Sequence, residues 1–576
     1  MTRASWAAAG CVVAVATAAA VVQVGPDADA AVDVQILAIN DFHGGLEPAA
    51  GGTGRIANAD AGGIEYLATH LSRLKATNPN TVVVSAGDNI GGTPLLSSLF
   101  HDEPSVEALS LAGLQISALG NHDLDEGWWE LYRIQKGGCH SVDGCQDGTP
   151  FAGASFSYLA ANVTLDPAQA DPGRLAQAGV EGAATRLLLP ASAVREIGGI
   201  RIGFIGAILR GAPAVIIPES IRGLSFHHVP EAVNDAARAL RGQGVRIIIL
   251  LIHEGGEQAG ALQPGEGRVP NINSCERMSP SFADMISRIS DDISVVVSGH
   301  THSAYNCMLD GKLVTSASSA GRLVTDIDLR VRRSDGTLVS KTARNVIVTR
   351  DVPKDPAQTA LLARYRPVAD KIGNRVVGSI AASLTRDANN AGESGLGDVV
   401  ADAFLEAGRN ASGGNAEIAI WNPGGIRADL TMAPGANPTP VTYAQVFSVM
   451  PFGNELIVKS ISGKVLVQML EEQFGADRRR IMQVSTGFAY SYDPSKPGGQ
   501  RINRDSIRIN GAPLDLNRTY RLATSNFLWD SGDGLTALSA GTDPLLVGVD
   551  HDLLADYFSR HSPVKPGSRN RIAIGR

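Results

Sequence analysis

From Val34 to about residue 330, short Val/Ile-rich runs alternate with longer amphipathic stretches, the pattern of strands buried on both faces with helices between them. Six runs define it: VQILAIN, TVVVSAGD, ISALGNHD, RIGFIGAI, VRIIILLIHEG and ISVVVSGHTH. Read as strands, most of them end in polar residues. Ligands of open α/β sheets bind at the carboxyl ends of the strands, so these polar endings predict a site where they converge.

A different pattern follows. Asp355-Pro356 reads as an N-cap with Pro in the first turn, and Leu361, Leu362, Tyr365, Val368 and Ile372 continue at helical spacing, with Pro367 as a candidate kink. Beyond it the runs AEIAIW, ELIVKSI and TYRLATSN begin a second core, and no internal repeat is visible. The expected division is a unit over 31–350, a connecting helix over 351–375 and a second unit over 376–576.

Length agrees with that division: 576 residues exceed one ordinary domain at roughly 100 to 200 residues each. With 44% hydrophobic and 19% charged residues the chain is globular in composition. A net charge of −8 lacks the concentrated basic face that polymeric nucleic acid requires, so no such partner is expected.

The first thirty residues read as an export signal: Arg3, an Ala/Val run from Ala7 to Val24, and a small-x-small site at Ala28-Asp29-Ala30, with cleavage after Ala30. Ala is too weakly apolar for this run to read as a membrane anchor, and Cys11 precedes most of the run instead of following it, unlike a lipoprotein cysteine. A secreted or cell-envelope location follows, with no integral membrane segment after cleavage. Cys139, Cys145, Cys275 and Cys307 remain, an even number that favours disulfides in an exported chain. Three pairings are possible. Cys139 with Cys145 would close a short loop, and Cys275 with Cys307 would tie segments flanking two of the polar strand ends; no Cys-x-x-Cys spacing supports a thiolate metal site.

The first run leads into Asp41-Phe42-His43, and residues two apart on an extended chain point to one side. Asp88, Asn121, His122, His253, His300 and His302 follow at four further strand ends. Singly, each is an ordinary turn or strand-end residue. Together, in this order, they resemble the calcineurin-like metallophosphoesterase pattern, and the chain as a whole resembles the 5'-nucleotidase family. That resemblance implies an α/β and α+β fold: a metallophosphoesterase β-sandwich flanked by helices, a connecting helix and a C-terminal mixed α/β nucleotide-binding domain.

The resemblance also implies two divalent metal ions. Asp41, His43 and His302 would hold one; Asn121, His253 and His300 would hold the other; Asp88 would bridge them. Mixed nitrogen and oxygen donors suit Zn or Mn, and the His at 302, where relatives often carry Gln, bears on that choice. Two ions about 3.5 to 4 Å apart activate a water and stabilise an in-line displacement at phosphorus. His122, oriented by Asp125, would stabilise the transition state or donate a proton.

In the second half, Asn422-Pro423-Gly424-Gly425-Ile426-Arg427, the segment around Phe452, and Ser525 to Gly534 resemble the family's substrate site, with a Phe in each of two Gly-containing loops. Phe452 and Phe527 would stack on the base, Asp533 would bind ribose hydroxyls, and Asn422, Gly425 and Arg427 would contact base or phosphate. Arginines common before the segment Gly395 to Asp398 are mostly replaced, leaving Arg386 as a substitute. The expected activity is phosphate release from nucleoside 5'-monophosphates. The rivals are a 2',3'-cyclic-nucleotide, nucleotide-sugar or sulfur-ester hydrolase and, in another class, a secreted binding or adhesion protein with a vestigial site.

Overall fold

The computed structural model describes Met1 and residues 31–49, 54–257, 271–275, 278–474 and 480–575; the signal segment, with Arg3, Cys11 and Ala28 to Ala30, lies outside the described residues. Strands β1 (Ala31–Ile39), β2 (Thr81–Ser85) and β3 (Leu114–Ala118) run parallel in a six-stranded sheet completed by Ser157–Leu159 at one side and by Leu323–Arg332 and Leu338–Ile347 at the other. A second six-stranded sheet is built on parallel β4 (Ile200–Ile208), β5 (Ile247–His253) and β6 (Ile293–Ser298).

The alternation of side chains along each strand explains the unbroken apolar runs. Val34, Ile36 and Val84 from the first sheet meet Phe204, Ile249 and Val297 from the second. Their neighbours Leu37, Ile39 and Val83 face helices on the outer side of the first sheet, and Ile248, Leu250 and Ile252 face the helix Val229–Gly242 outside the second. Both faces of each sheet are therefore covered, which is the β-sandwich flanked by helices. Truncating Ile249 to Ala, midway between the sheets, would cost about 2–5 kcal/mol.

Helix α1 (Pro356–Gly373) starts where Asp355 accepts the N–H groups of Ala357 and Gln358, and it runs through Pro367 without interruption. Leu362, Tyr365 and Ala369 pack into the core of the first sheet's outer face. Val368 and Ile372, expected on the buried stripe, are 43% and 41% exposed, because at 100° per residue they fall at the stripe's edge.

The second half folds around α2 (Gly395–Asn410), β7 (Ile418–Trp421), β8 (Glu455–Ser462) and β9 (Thr519–Ser525). In its five-stranded mixed sheet β7 and β9 are parallel and β8 is antiparallel to β9. Val400 and Phe404 of α2 cover one face, and Leu466 and Leu470 of the helix Gly463–Glu472 cover the other. Disulfides join Cys139 to Cys145 and Cys275 to Cys307.

Candidate functional site

The carboxyl ends of β1, β2, β3, β5 and β6 bring seven side chains together. Donor atoms of Asp41, His43 and His302 lie within 4.8 Å of one another, and so do those of Asp88, His253 and His300. Oδ1 of Asn121 is 3.1 Å from Nε2 of His253 and 3.0 Å from Nδ1 of His300. Asp88 stands between the groups, its Oδ2 3.0 Å from Nε2 of His253 and 3.5 Å from Nε2 of His43.

Backbone conformation supports a purpose for this convergence. Asp41, His43, Asp88, His300 and His302 all have φ between 44° and 71°, the left-handed region that non-glycine residues seldom occupy. Such strain persists only where the surroundings over-determine it, and it clusters at functional sites. Gly120 is required for a related reason: a Cβ there would lie 2.1 Å from Oδ1 of Asp88.

The donor set fits metal ions. Nδ1 of His43 lies 2.8 Å from the carbonyl of Gly91, and Nδ1 of His253 lies 2.9 Å from that of Ala86. Each carbonyl accepts the ring hydrogen, so the opposite Nε2 presents a lone pair to the cluster. Nε2 of His43 and Nε2 of His302 then face each other at 3.2 Å, an arrangement that a cation between them satisfies. Burial first, and the nearby Arg427 second, hold the His43 pKa well below its ordinary value, keeping the ring neutral.

His122 lies beside this cluster. Its backbone N–H donates to Oδ1 of Asp88 at 2.8 Å, and its ring Nδ1 is 2.8 Å from Oδ2 of Asp125. Burial disfavours its charged form, but the charges of Asp125 and Asp88 outweigh burial and raise its pKa.

Residues from the second half reach the same cavity, about 820 Å³, which is lined by Asp88, His122, Arg386, Arg427, Phe452, Phe527 and Asp533 among others. Arg427 extends to 3.2 Å from Nε2 of His43. Phe452 stacks on His122 with ring centroids 5.3 Å apart, and the approach is close enough that a Cβ on Gly92 would lie 2.6 Å from the Phe452 ring. Asn422, directly after β7, donates to Oδ2 of Asp533 at 2.9 Å. Gly425 packs so tightly that a Cβ would meet Nε1 of Trp421 at 2.6 Å. Arg386 is paired with Asp429 at 3.1 Å. Phe527 is not in a loop as expected: Ser525 accepts the N–H of Leu528 and caps a one-turn helix, Asn526–Trp529, that carries it.

The calcineurin-like phosphoesterase profile matches residues 34–168, and the profile of the 5'-nucleotidase C-terminal domain matches residues 373–540. The chain belongs to the 5'-nucleotidase family. This family comprises metal-dependent phosphoester hydrolases. The chain is 29% identical over 506 residues to the endonuclease YhcR of Bacillus subtilis (strain 168), covering 86% of its own length but 37% of that protein. It is 25% identical over 584 residues to an apyrase of Tabanus yao, covering 94% and 93% of the two chains. Its fold matches the crystal structure of a 5'-nucleotidase precursor from Thermus thermophilus with a TM-score of 0.75 at 24% identity, covering 94% of this chain and 99% of that one.

Two residues at this family site carry no sequence signal of their own. Asp123, between His122 and Leu124, accepts the backbone N–H groups of Asp88, Asn89, Ile90 and Gly120 and the hydroxyl of Tyr158. It anchors the turn that carries Asp88. Arg480, from a segment with no recognised motif, lines the cavity and pairs with Asp533. Only the tertiary partners identify either one. Among the described residues no helix is long and apolar enough to cross a membrane.

Proposed function

We propose that this chain is an exported phosphohydrolase that releases phosphate from nucleotides, chiefly nucleoside 5'-monophosphates. The observation that carries the proposal is the contact of Arg427 with His43 across one cavity, which sets a guanidinium suited to phosphate against the metal-compatible donors. The apyrase relative favours a nucleotide substrate as well. The signal pattern of residues 1–30 and the two disulfides support export.

In this reading Asp41, His43 and His302 hold one divalent ion, Asn121, His253 and His300 hold a second, and Asp88 serves both. Two such ions, Zn or Mn, supply Lewis acidity and an activated water. Arg427 orients the phosphate through its fork of N–H donors. His122, held by Asp125 through Nδ1, directs Nε2 at the phosphate or the leaving oxygen and delivers a proton there. Phe452 and Phe527 bind the base, which limits discrimination between bases because every base has a stacking face. Asp533 takes the ribose, Asn422 and Gly425 contact base or phosphate, and Arg386 adds positive charge at the phosphate end. We take α1 as the connection between a catalytic unit over 31–350 and a substrate-binding unit over 376–576, and as the hinge between them.

Phosphate release from AMP, UMP, ADP, UDP-glucose, 2',3'-cyclic AMP and para-nitrophenyl phosphate, after chelation and return of Mn or Zn, tests the proposal. Preferential cleavage of AMP and UMP is expected. Cleavage of the generic ester alone would leave the metal reading standing and overturn the nucleotide reading; no cleavage with any metal would favour a binding protein.

A further inference from the structure

Among the described residues, Arg480 is the one arginine lining the cavity to which the family resemblance assigns nothing. Its backbone N–H donates to the carbonyl of Gln473 at 3.0 Å, just before the edge strand Gln483–Val484 that pairs with β7. This anchor holds the side chain over the carboxyl end of β7. There its Nη1 donates to Oδ1 of Asp533 while Nδ2 of Asn422 donates to Oδ2 of the same carboxylate. One donor on each oxygen, from two different segments, fixes the carboxylate plane. A carboxylate accepts about four hydrogen bonds, so two positions remain for a ligand.

Asp533 needs such support. Its own φ is 55° and that of Ser531 is 72°, in a turn that follows the one-turn helix bearing Phe527. Its side chain is 8% exposed, and among the described residues Arg480 is the cation that pairs with it. An unpaired carboxylate at that depth would rotate toward water and lose its aim.

We propose that Arg480 is a positioning residue for ribose recognition: it fixes the Asp533 carboxylate so that two ribose hydroxyls donate to its remaining positions. The inference rests on the nucleotidase reading and on the assignment of ribose to Asp533. It makes Arg480 a determinant of preference for ribonucleotides over nucleotides lacking both hydroxyls, with no part in the bond-breaking step.

The test measures kcat and KM for AMP and for 2',3'-dideoxy-AMP in the wild type, Arg480→Ala, Arg480→Lys, Asp533→Ala and the Arg480→Ala/Asp533→Ala double variant. Loss of a charge-assisted hydrogen bond predicts a rise of about tenfold in KM for AMP in Arg480→Ala, with kcat nearly unchanged. KM for the dideoxy nucleotide should stay at its wild-type value, Arg480→Lys should recover part of the loss, and Arg480→Ala should have no further effect once Asp533 is Ala. An equal rise for both nucleotides, or a full additional loss in the double variant, would overturn the proposal. A wild type that hydrolyses both nucleotides with the same KM would remove the ribose assignment of Asp533 and the proposal with it, whereas a wild type inactive on AMP would overturn the nucleotidase reading itself.

Discussion

Nη2 of Arg427 lies 3.2 Å from Nε2 of His43, joining residues 384 positions apart across the cavity. A guanidinium and a neutral imidazole lone pair gain modestly from each other, but both suit a bound phosphate with metal beside it. Arg427 is half-buried, and its desolvation outweighs the nearby carboxylates in lowering its pKa. A partly desolvated cation of this kind gains from an anionic partner. Arg427→Lys keeps the charge but loses the bidentate fork. The expected result is a rise in KM for AMP of about tenfold, read from initial rates, and larger for Arg427→Ala.

Replacing His122 with Ala should lower kcat by about 10²–10⁴, the range for a lost proton-transfer group. Asp125→Asn should cost less, since it disturbs only the orientation of His122. Steady-state kinetics on AMP decide the order, and equal activity of His122→Ala and wild type would remove His122 from the chemistry.

Phe527→Ala removes one stacking partner worth about 1–3 kcal/mol. KM for AMP should rise accordingly while hydrolysis of para-nitrophenyl phosphate stays within about twofold. A parallel loss on both substrates would show instead that the helix Asn526–Trp529 had been disturbed.

Asp123→Asn leaves the four backbone donors of the Asp88 turn with a weaker acceptor and one oxygen replaced by a donor group. Metal affinity should fall about 10–100-fold, as for other residues that orient a ligand. Titration of the chelated protein with Mn measures it, and the melting temperature should fall as well.

His101 supplies a pH-dependent contribution to stability. Its Nδ1 lies 2.7 Å from Glu126 and its Nε2 2.8 Å from Asp143, and although burial opposes the charge, these carboxylates raise its pKa to about 9. Because the folded value lies above the unfolded one of about 6.5, the stabilisation is full below pH 6.5 and is lost as pH rises through 9. The melting temperature of the wild type should therefore fall between pH 6.5 and 9.5 more steeply than that of His101→Gln, and identical slopes would show that the cluster contributes nothing.

The sequence by itself determined the local elements. Runs such as VRIIILLIHEG have one stable solution, a strand covered on both faces, and polar residues at their ends must then emerge at one edge of the sheets. Asp355 before Pro356 likewise sets the start of α1 through local hydrogen bonds. The order of Asp41, His43, Asp88, Asn121, His253, His300 and His302 is legible for the same reason, since each follows directly from the end of its strand. What only the tertiary structure decided are relationships between segments distant in the chain. Asp123 is one of several acidic residues near His122 until four backbone donors turn toward it, and Arg480 is one arginine among many until Asp533 meets it. Val368 and Ile372 keep helical spacing yet remain exposed, because spacing sets a stripe but the neighbouring core decides its centre. Hydrophobic periodicity is a property of adjacent residues, whereas the partner of a buried charge is chosen by whichever segment the fold packs against it.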